Sequence, residues 1–351
     1  MTKVNKLKSF FKKKNVEVSL KRYGIDALGA MAQGLFASLL IGTILDTLGT
    51  QLGIKMFNEI GAFAKGVTGP AMAISIAFAL NCPPLVLFSL AAVGHAANTL
   101  GGAGGPLAVL IISIIACELG KLVSKETKVD ILVTPLVTII SGCLLSAWWA
   151  PHIGAAASAV GSAIMWATEL QPFLMGILVS VIVGIALTLP ISSAAICAAL
   201  SLTGIAGGAA VAGCCANMIG FAVMSFKENR WSGLVAQGIG TRMLQMGNIV
   251  KNPKIWLPPI ITSAITGPIA TCIFKLEMNG PAVSSGMGTC GFVGQIGVYS
   301  GWIADGKAIS AFDWIGLILI SFVLPAILTW LISIPFRKKG WIKENDLKLD
   351  I

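Results

Sequence analysis

Windows of about 20 mostly apolar residues, the length an α-helix needs to cross a ~30 Å hydrocarbon core, recur along nearly the whole chain. They lie near residues 26–49, 69–97, 106–122, 131–150, 154–169, 173–200, 205–226, 232–248, 256–274 and 314–336. A chain built this way must satisfy its backbone polar groups internally, so it is predicted to be an all-α polytopic membrane protein of about ten transmembrane helices. Composition agrees: 56% of the residues are hydrophobic and 11% charged, mean hydropathy is +0.86, and soluble domains carry about 25% charged residues. The expected organisation is a basic arm at 1–23, a transmembrane domain at 24–336 and a tail at 337–351.

Several windows are broken by Gly or Pro, at Pro83-Pro84, at "GGAGG" (Gly101–Gly105), at Pro190 and at "GIAGG" (Gly204–Gly208). Breaks inside hydrocarbon are tolerated where the freed backbone groups face protein or a watery cavity, so they predict re-entrant hairpins or discontinuous helices. Close helix packing at small residues is the other use for the same glycines. The stretches around Pro84 and Pro190 share a layout, a Pro-initiated apolar run leading to a Gly-rich break, which hints at a degenerate repeat.

Lys3, Lys6, Lys8, Lys12, Lys13, Lys14, Lys21 and Arg22 precede the first window against one acid, Glu17. This basic start lacks the apolar core of a cleavable signal peptide. By the positive-inside rule it is cytoplasmic, as are the Lys-rich loop around Lys121–Asp130 and the tail "FRKKGWIKENDLKLDI". The net charge of +10 therefore sits beside the membrane, where it favours anionic membrane lipids; no basic folded domain is left to bind nucleic acid. "LKSFFKKKNVEVSLKRY" has the make-up of an interfacial amphipathic helix with Phe10 and Phe11 as wedges.

The eight cysteines lack CxxC spacing and read as small packing residues rather than a disulfide framework or a metal site. Phosphate-cradling, HExxH and GxSxG patterns are missing, and no cofactor or metal is implied. Polar residues at membrane depth are then the functional candidates, because they are costly there. His95 and Asn98 share a helix face directly before the "GGAGG" break, where they could line a ligand site or hold packing. Asn217 and Gln295 are single neutral polars in apolar runs, able to line a pathway or to hydrogen-bond between helices. In "GIGTRMLQMGNIVKNPKIWLPP", Thr241, Gln245 and Asn248 would share one face of a helix, with Arg242 adjacent and able to enter the same cavity. Alternatively Arg242 reaches the interface or pairs with Glu118 or Glu228.

"GLVAQGIGTRMLQMGNIVKNPKIWLPPIITSAITGPIA", "GKLVSKETKVDILVTPLVTIISG" and "SSGMGTCGFVGQIG" together resemble the membrane permease component, enzyme IIC, of the bacterial sugar phosphotransferase system, and within it the perfringolysin O regulator-like branch. The resemblance, over about residues 20 to 340, implies a dimeric carrier in the bacterial cytoplasmic membrane. Its helices and re-entrant hairpins would surround a central solute site, with phosphorylation by separate IIA and IIB subunits. Where fructose-type relatives carry a sugar-site glutamate in a Gly-Ile-Thr-Glu-Gly element, this chain has Arg242 or Met243, and it carries no IIA or IIB domain. The second departure argues against transport coupled to phosphorylation, and a positive Arg242 suits a small anionic solute better than a neutral sugar, since guanidinium pairs with carboxylate or phosphate. Two function classes follow: a carrier for a sugar or small anion working by alternating access, and a ligand-sensing regulatory membrane protein that keeps the carrier fold. The chain itself is not expected to be an enzyme.

Overall fold

The structure, a computed structural model, describes residues 9–349; Lys3, Lys6 and Lys8 of the basic arm and the last two tail residues lie outside the described residues. The chain divides into two compact units, Met1–Ala155 and Ala156–Ile351, with the boundary inside the helix Asp130–Thr168.

In the first unit, α1 (Arg22–Leu52) carries two π-helical turns, and α2 (Lys55–Gly66) and α3 (Thr68–Ala79) form a pair bent by 48°. Next come α4 (Pro84–Gly101), α5 (Gly105–Val123) and α6 (Asp130–Thr168). Pro83 and Pro84 start α4, as suits a residue without an N–H at a helix N-terminus. The "GGAGG" break is a tight turn with Gly102 at φ +50°, after which α5 runs back along α4. At 1.5 Å per residue each of these helices is long enough to span on its own. Along α6 only 22% of the apolar window is buried, and Ile131, Leu136, Ile140 and Leu144 form an exposed apolar row suited to lipid.

The arm is tied to this unit. Lys14 donates to the Ser124 carbonyl and pairs with Glu126, and Arg22 donates to the Leu80 carbonyl at 2.8 Å. Tyr23 donates to Glu118 at 3.1 Å, and Lys121 pairs with the same carboxylate at 3.3 Å. The expectation that all cysteines are unbonded packing residues needs correction: Cys82 and Cys117 form a disulfide, their Cα atoms 6.8 Å apart. Their separation of 35 residues carries no framework spacing, and only the α4–α5 turn makes them neighbours.

The second unit is built on α7 (Pro172–Thr188), α9 (Gly204–Met224), α12 (Pro253–Ile273) and α14 (Ala311–Lys338). Between them lie α8 (Ser193–Ala199), α10 (Phe226–Val235), α11 (Met246–Lys251) and α13 (Val293–Ala304). Helix α9 packs on α7, α12 and α14, and 83% of its window is buried. Its run of Gly, Ala and Cys permits that, because lipid-embedded helices pack through small residues rather than through a hydrophobic driving force. At Gly213 a Cβ would stand 1.9 Å from the Ser180 carbonyl oxygen of α7. Gly213→Ala is therefore expected to cost about 1–3 kcal/mol by overpacking, read as a lower melting temperature in detergent.

Among the described residues six helical stretches are long and apolar enough to cross a membrane when Pro84–Val123, the α4–α5 hairpin, is taken as one, and seven if the bent α2–α3 pair counts as one span. The fold class is all-α and polytopic as expected, but the count of ten is corrected. Windows 131–150 and 154–169 merge into α6, windows 173–200 and 232–248 break into short pieces, and α7 is a shorter apolar helix. Hydropathy windows count apolar residues and do not see where the backbone stops being a helix.

Candidate functional site

The helix expected over 232–248 gives way after Val235 to a π-turn at Ala236–Gly240 and a 3-10 turn at Arg242–Gln245 before α11 resumes α-helical geometry. Gly238 and Gly240 weaken the helix, and Thr241 leaves it altogether (φ −144°, ψ 135°), capping the next turn by accepting from the Met243 amide at 3.2 Å. The single face expected for Thr241, Gln245 and Asn248 therefore does not form, since Thr241 is extended.

Two more irregular segments meet this one. After Thr188 the chain leaves α7 at Leu189-Pro190, and Ser193 at the start of α8 donates to the Gly286 carbonyl at 2.8 Å. Ser285 donates to the Leu202 carbonyl at 2.6 Å, and Thr289 donates to the Gly238 carbonyl at 2.5 Å. In "SSGMGTCGFVGQIG", Gly288, Gly291 and Phe292 all have positive φ, and for bulky Phe292 at +58° that is strained backbone of the kind that clusters at functional sites.

Where these segments converge, Arg242 is 1% exposed. Its Nε donates to Thr188 Oγ1 at 2.7 Å, while its Nη2 is buried with no hydrogen-bond partner. The titratable groups that bear on it are Cys214, Cys215 and Cys290, and among the described residues it makes no ion pair. Neither alternative partner is engaged with it: Glu228 pairs with Arg337 at 3.0 Å and Glu118 with Lys121. Thr188→Val would strand the Nε donor as well, so it is expected to lower stability by about 1–3 kcal/mol, measured by thermal melting.

The neighbouring amides serve the fold. Gln245 Nε2 donates to Gln237 Oε1 and to the Leu347 carbonyl, both at 2.9 Å. Asn248 Nδ2 donates to Gln245 Oε1 at 2.8 Å and to the Lys348 carbonyl at 2.9 Å. The tail thus lies against the segment that carries Arg242, held further by Asn229 and Asn252. Asn217 Nδ2 donates to Ser263 Oγ at 3.0 Å and its Oδ1 accepts from Trp256, which links α9 to α12. Gln295 Nε2 donates to Ser321 Oγ at 2.9 Å, leaving its Oε1 buried and unpartnered. In the first unit, His95 is exposed on α4 and Asn98 lies where α4 meets Gly69 of α3.

Sequence reasoning missed Thr188, Thr289 and the tail. A polar residue just before the Pro190 break and the alternating "LKL" of the tail were the available signals.

A helical membrane bundle whose discontinuous segments enclose buried polar groups is the architecture of a small-solute carrier. The family described as "Phosphotransferase system, EIIC" matches residues 25–349, and the chain belongs to that family: it is a membrane carrier of the phosphotransferase type. Comparison with curated proteins gives no match, and neither does comparison with solved structures.

Proposed function

We propose that the second unit binds a small polar solute at the junction of the 188–193, 236–245 and 284–295 segments and carries it across the bacterial cytoplasmic membrane by alternating access, with both termini cytoplasmic. The observation that carries this reading is the convergence of three interrupted stretches on one fully buried, half-satisfied guanidinium. Breaks of this kind let a pathway use backbone and polar side chains at membrane depth, and their joints are where one element can move against another.

Any phosphorylation of the solute falls to separate IIA and IIB subunits acting at the cytoplasmic mouth, and the carrier works as a homodimer. The tail supports a second reading, a ligand-sensing regulatory protein. Leu347 and Lys348 are hydrogen-bonded to the segment that bears Arg242, so rearrangement at the site would reach the cytoplasmic surface directly.

Proteoliposomes incubated with an isotope-labelled mixture of small sugars and organic acids test the choice, with the trapped contents read by mass spectrometry. Enrichment of at least one solute over protein-free liposomes is expected. Binding of a solute without enrichment would contradict carriage and favour the sensor.

A further inference from the structure

We propose that the solute is an anion and that its carboxylate or phosphate pairs with Arg242, an inference that rests on the carrier reading above and narrows it to a substrate class.

Guanidinium stays charged in proteins and offers five N–H donors in a fixed fork. Arg242 uses Nε on a neutral hydroxyl, and its buried Nη2 donates to nothing. None of the described acids of its own unit pairs with it: Asp305 accepts from Asn279 at 2.6 Å, Asp346 accepts from Asn252 at 2.8 Å, and half-buried Glu277 makes no ion pair. Glu228 holds Arg337 at 3.0 Å, Asp313 holds Lys307 at 2.7 Å, Glu344 meets Lys227 at 3.7 Å, and Glu169 is exposed. Among the described residues no carboxylate is ion-paired with Arg242, and the titratable groups that bear on it are thiols rather than acids.

Burying a lone charge is among the costliest arrangements a protein can hold unless the charge is paired and hydrogen-bonded. A neutral sugar could accept hydrogen bonds from the fork, yet it would leave the charge uncompensated. An anionic oxygen pair satisfies both demands at once, with two parallel N–H···O bonds and charge neutralisation.

The enclosure of Nη2 adds a mechanistic consequence. The guanidinium is occluded in this conformation, so an anion reaches it only after the 236–245 segment or its neighbours move. A ligand that binds only the opened form shifts the population toward that form, which is how a substrate drives its own access. Extended Thr241 and the flanking glycines at 238 and 240 give that segment its joints.

The test is thermal melting of the full-length protein in an uncharged detergent at constant ionic strength. The anionic probes are inorganic phosphate, malonate, citrate and glucose 6-phosphate, the neutral ones glucose and mannitol, and phosphatidylglycerol is added in a separate arm. Because a ligand of the folded state raises its melting temperature, at least one soluble anion is expected to give a saturable rise in the wild type. In Arg242→Met the concentration for half the rise is expected to increase roughly ten- to hundredfold, the worth of hydrogen bonds to a charged group. Arg242→Lys, which keeps the charge without the fork, should fall between, and it stands in should the Met variant not fold.

Equal stabilisation of wild type and Arg242→Met by an anion would overturn the assignment, as would no response to any of the four anions. Stabilisation by phosphatidylglycerol alone would overturn it in favour of a lipid phosphate. Stabilisation by glucose or mannitol, indifferent to Arg242, would overturn the anion class while leaving carriage intact. Failure of carriage itself is read separately, by the liposome contents.

Discussion

Replacing Arg242 by Met is expected to make the ligand-free protein more stable, the opposite of what removing a fully buried side chain usually does. Met retains much of the apolar volume while removing a guanidinium that makes no ion pair among the described residues and whose Nη2 has no partner. Exchanging buried ionic groups for apolar ones of similar size is often neutral or stabilising by about 1–4 kcal/mol. Thr188 Oγ1 still donates to the Gly184 carbonyl at 3.2 Å, so the exchange strands no hydroxyl. The expected readout is a melting temperature in detergent at or above that of the wild type, together with lost solute enrichment in liposomes. This is the signature of a residue kept for function at a cost in stability. A clear fall in melting temperature would instead assign Arg242 to holding α7 against the 236–245 segment.

Ending the chain after Gly340 is expected to have the larger destabilising effect. The tail buries Ile342, Leu347 and Leu349, and its backbone occupies Asn229, Gln245, Asn248 and Asn252. Truncation uncovers those apolar side chains and removes the tail acceptors of Asn229, Gln245, Asn248 and Asn252, each hydrogen bond worth about 0.5–1.5 kcal/mol net. The sum is several kcal/mol, enough to consume much of a typical stability margin. Limited proteolysis should then cut within 226–252 well before the intact protein is cut anywhere in that region. Intact resistance after truncation would show that the tail rests on the segment without supporting it.

How far the sequence reveals this arrangement depends on how local the deciding interactions are. The break at Pro190 is legible because Pro lacks an amide donor, whereas the break expected over Gly204–Gly208 falls just before it: Gly204, at φ +65°, opens α9, and the rest of "GIAGG" lies within that helix. "GGAGG" is equally legible as an interruption, but only the structure shows two full-length helices folding back at it. Arg242 stands out as a cation inside an apolar window, and the structure buries it. Its acceptor does not stand out, since Thr188 is 54 residues away and looks like any threonine in an apolar run.

Gln245 and Asn248 show the reverse. Their spacing suggests a polar face waiting for a ligand, while their hydrogen bonds go to tail carbonyls 102 and 100 residues further on. Helical periodicity reports which side chains share a face only where a helix persists, and Thr241 ends it here. The span count fails for the same reason, because apolar content and helical continuity are separate properties. Cys82 and Cys117 become partners through a turn, which no spacing rule on cysteines alone encodes.

The proposed solute site lies among the broken segments of the second unit and would open alternately to the two sides of the membrane. Cys290, 5% exposed and one of the thiols that bear on Arg242, reports on it without any substitution. Right-side-out and inside-out vesicles holding the wild-type protein are treated with a membrane-impermeant maleimide, and labelling of Cys290 is read by peptide mass spectrometry. Modification from both sides, slowed by a stabilising anion, is the outcome that alternating access requires. Modification from one side only, or none under conditions where exposed Cys272 reacts, would contradict it.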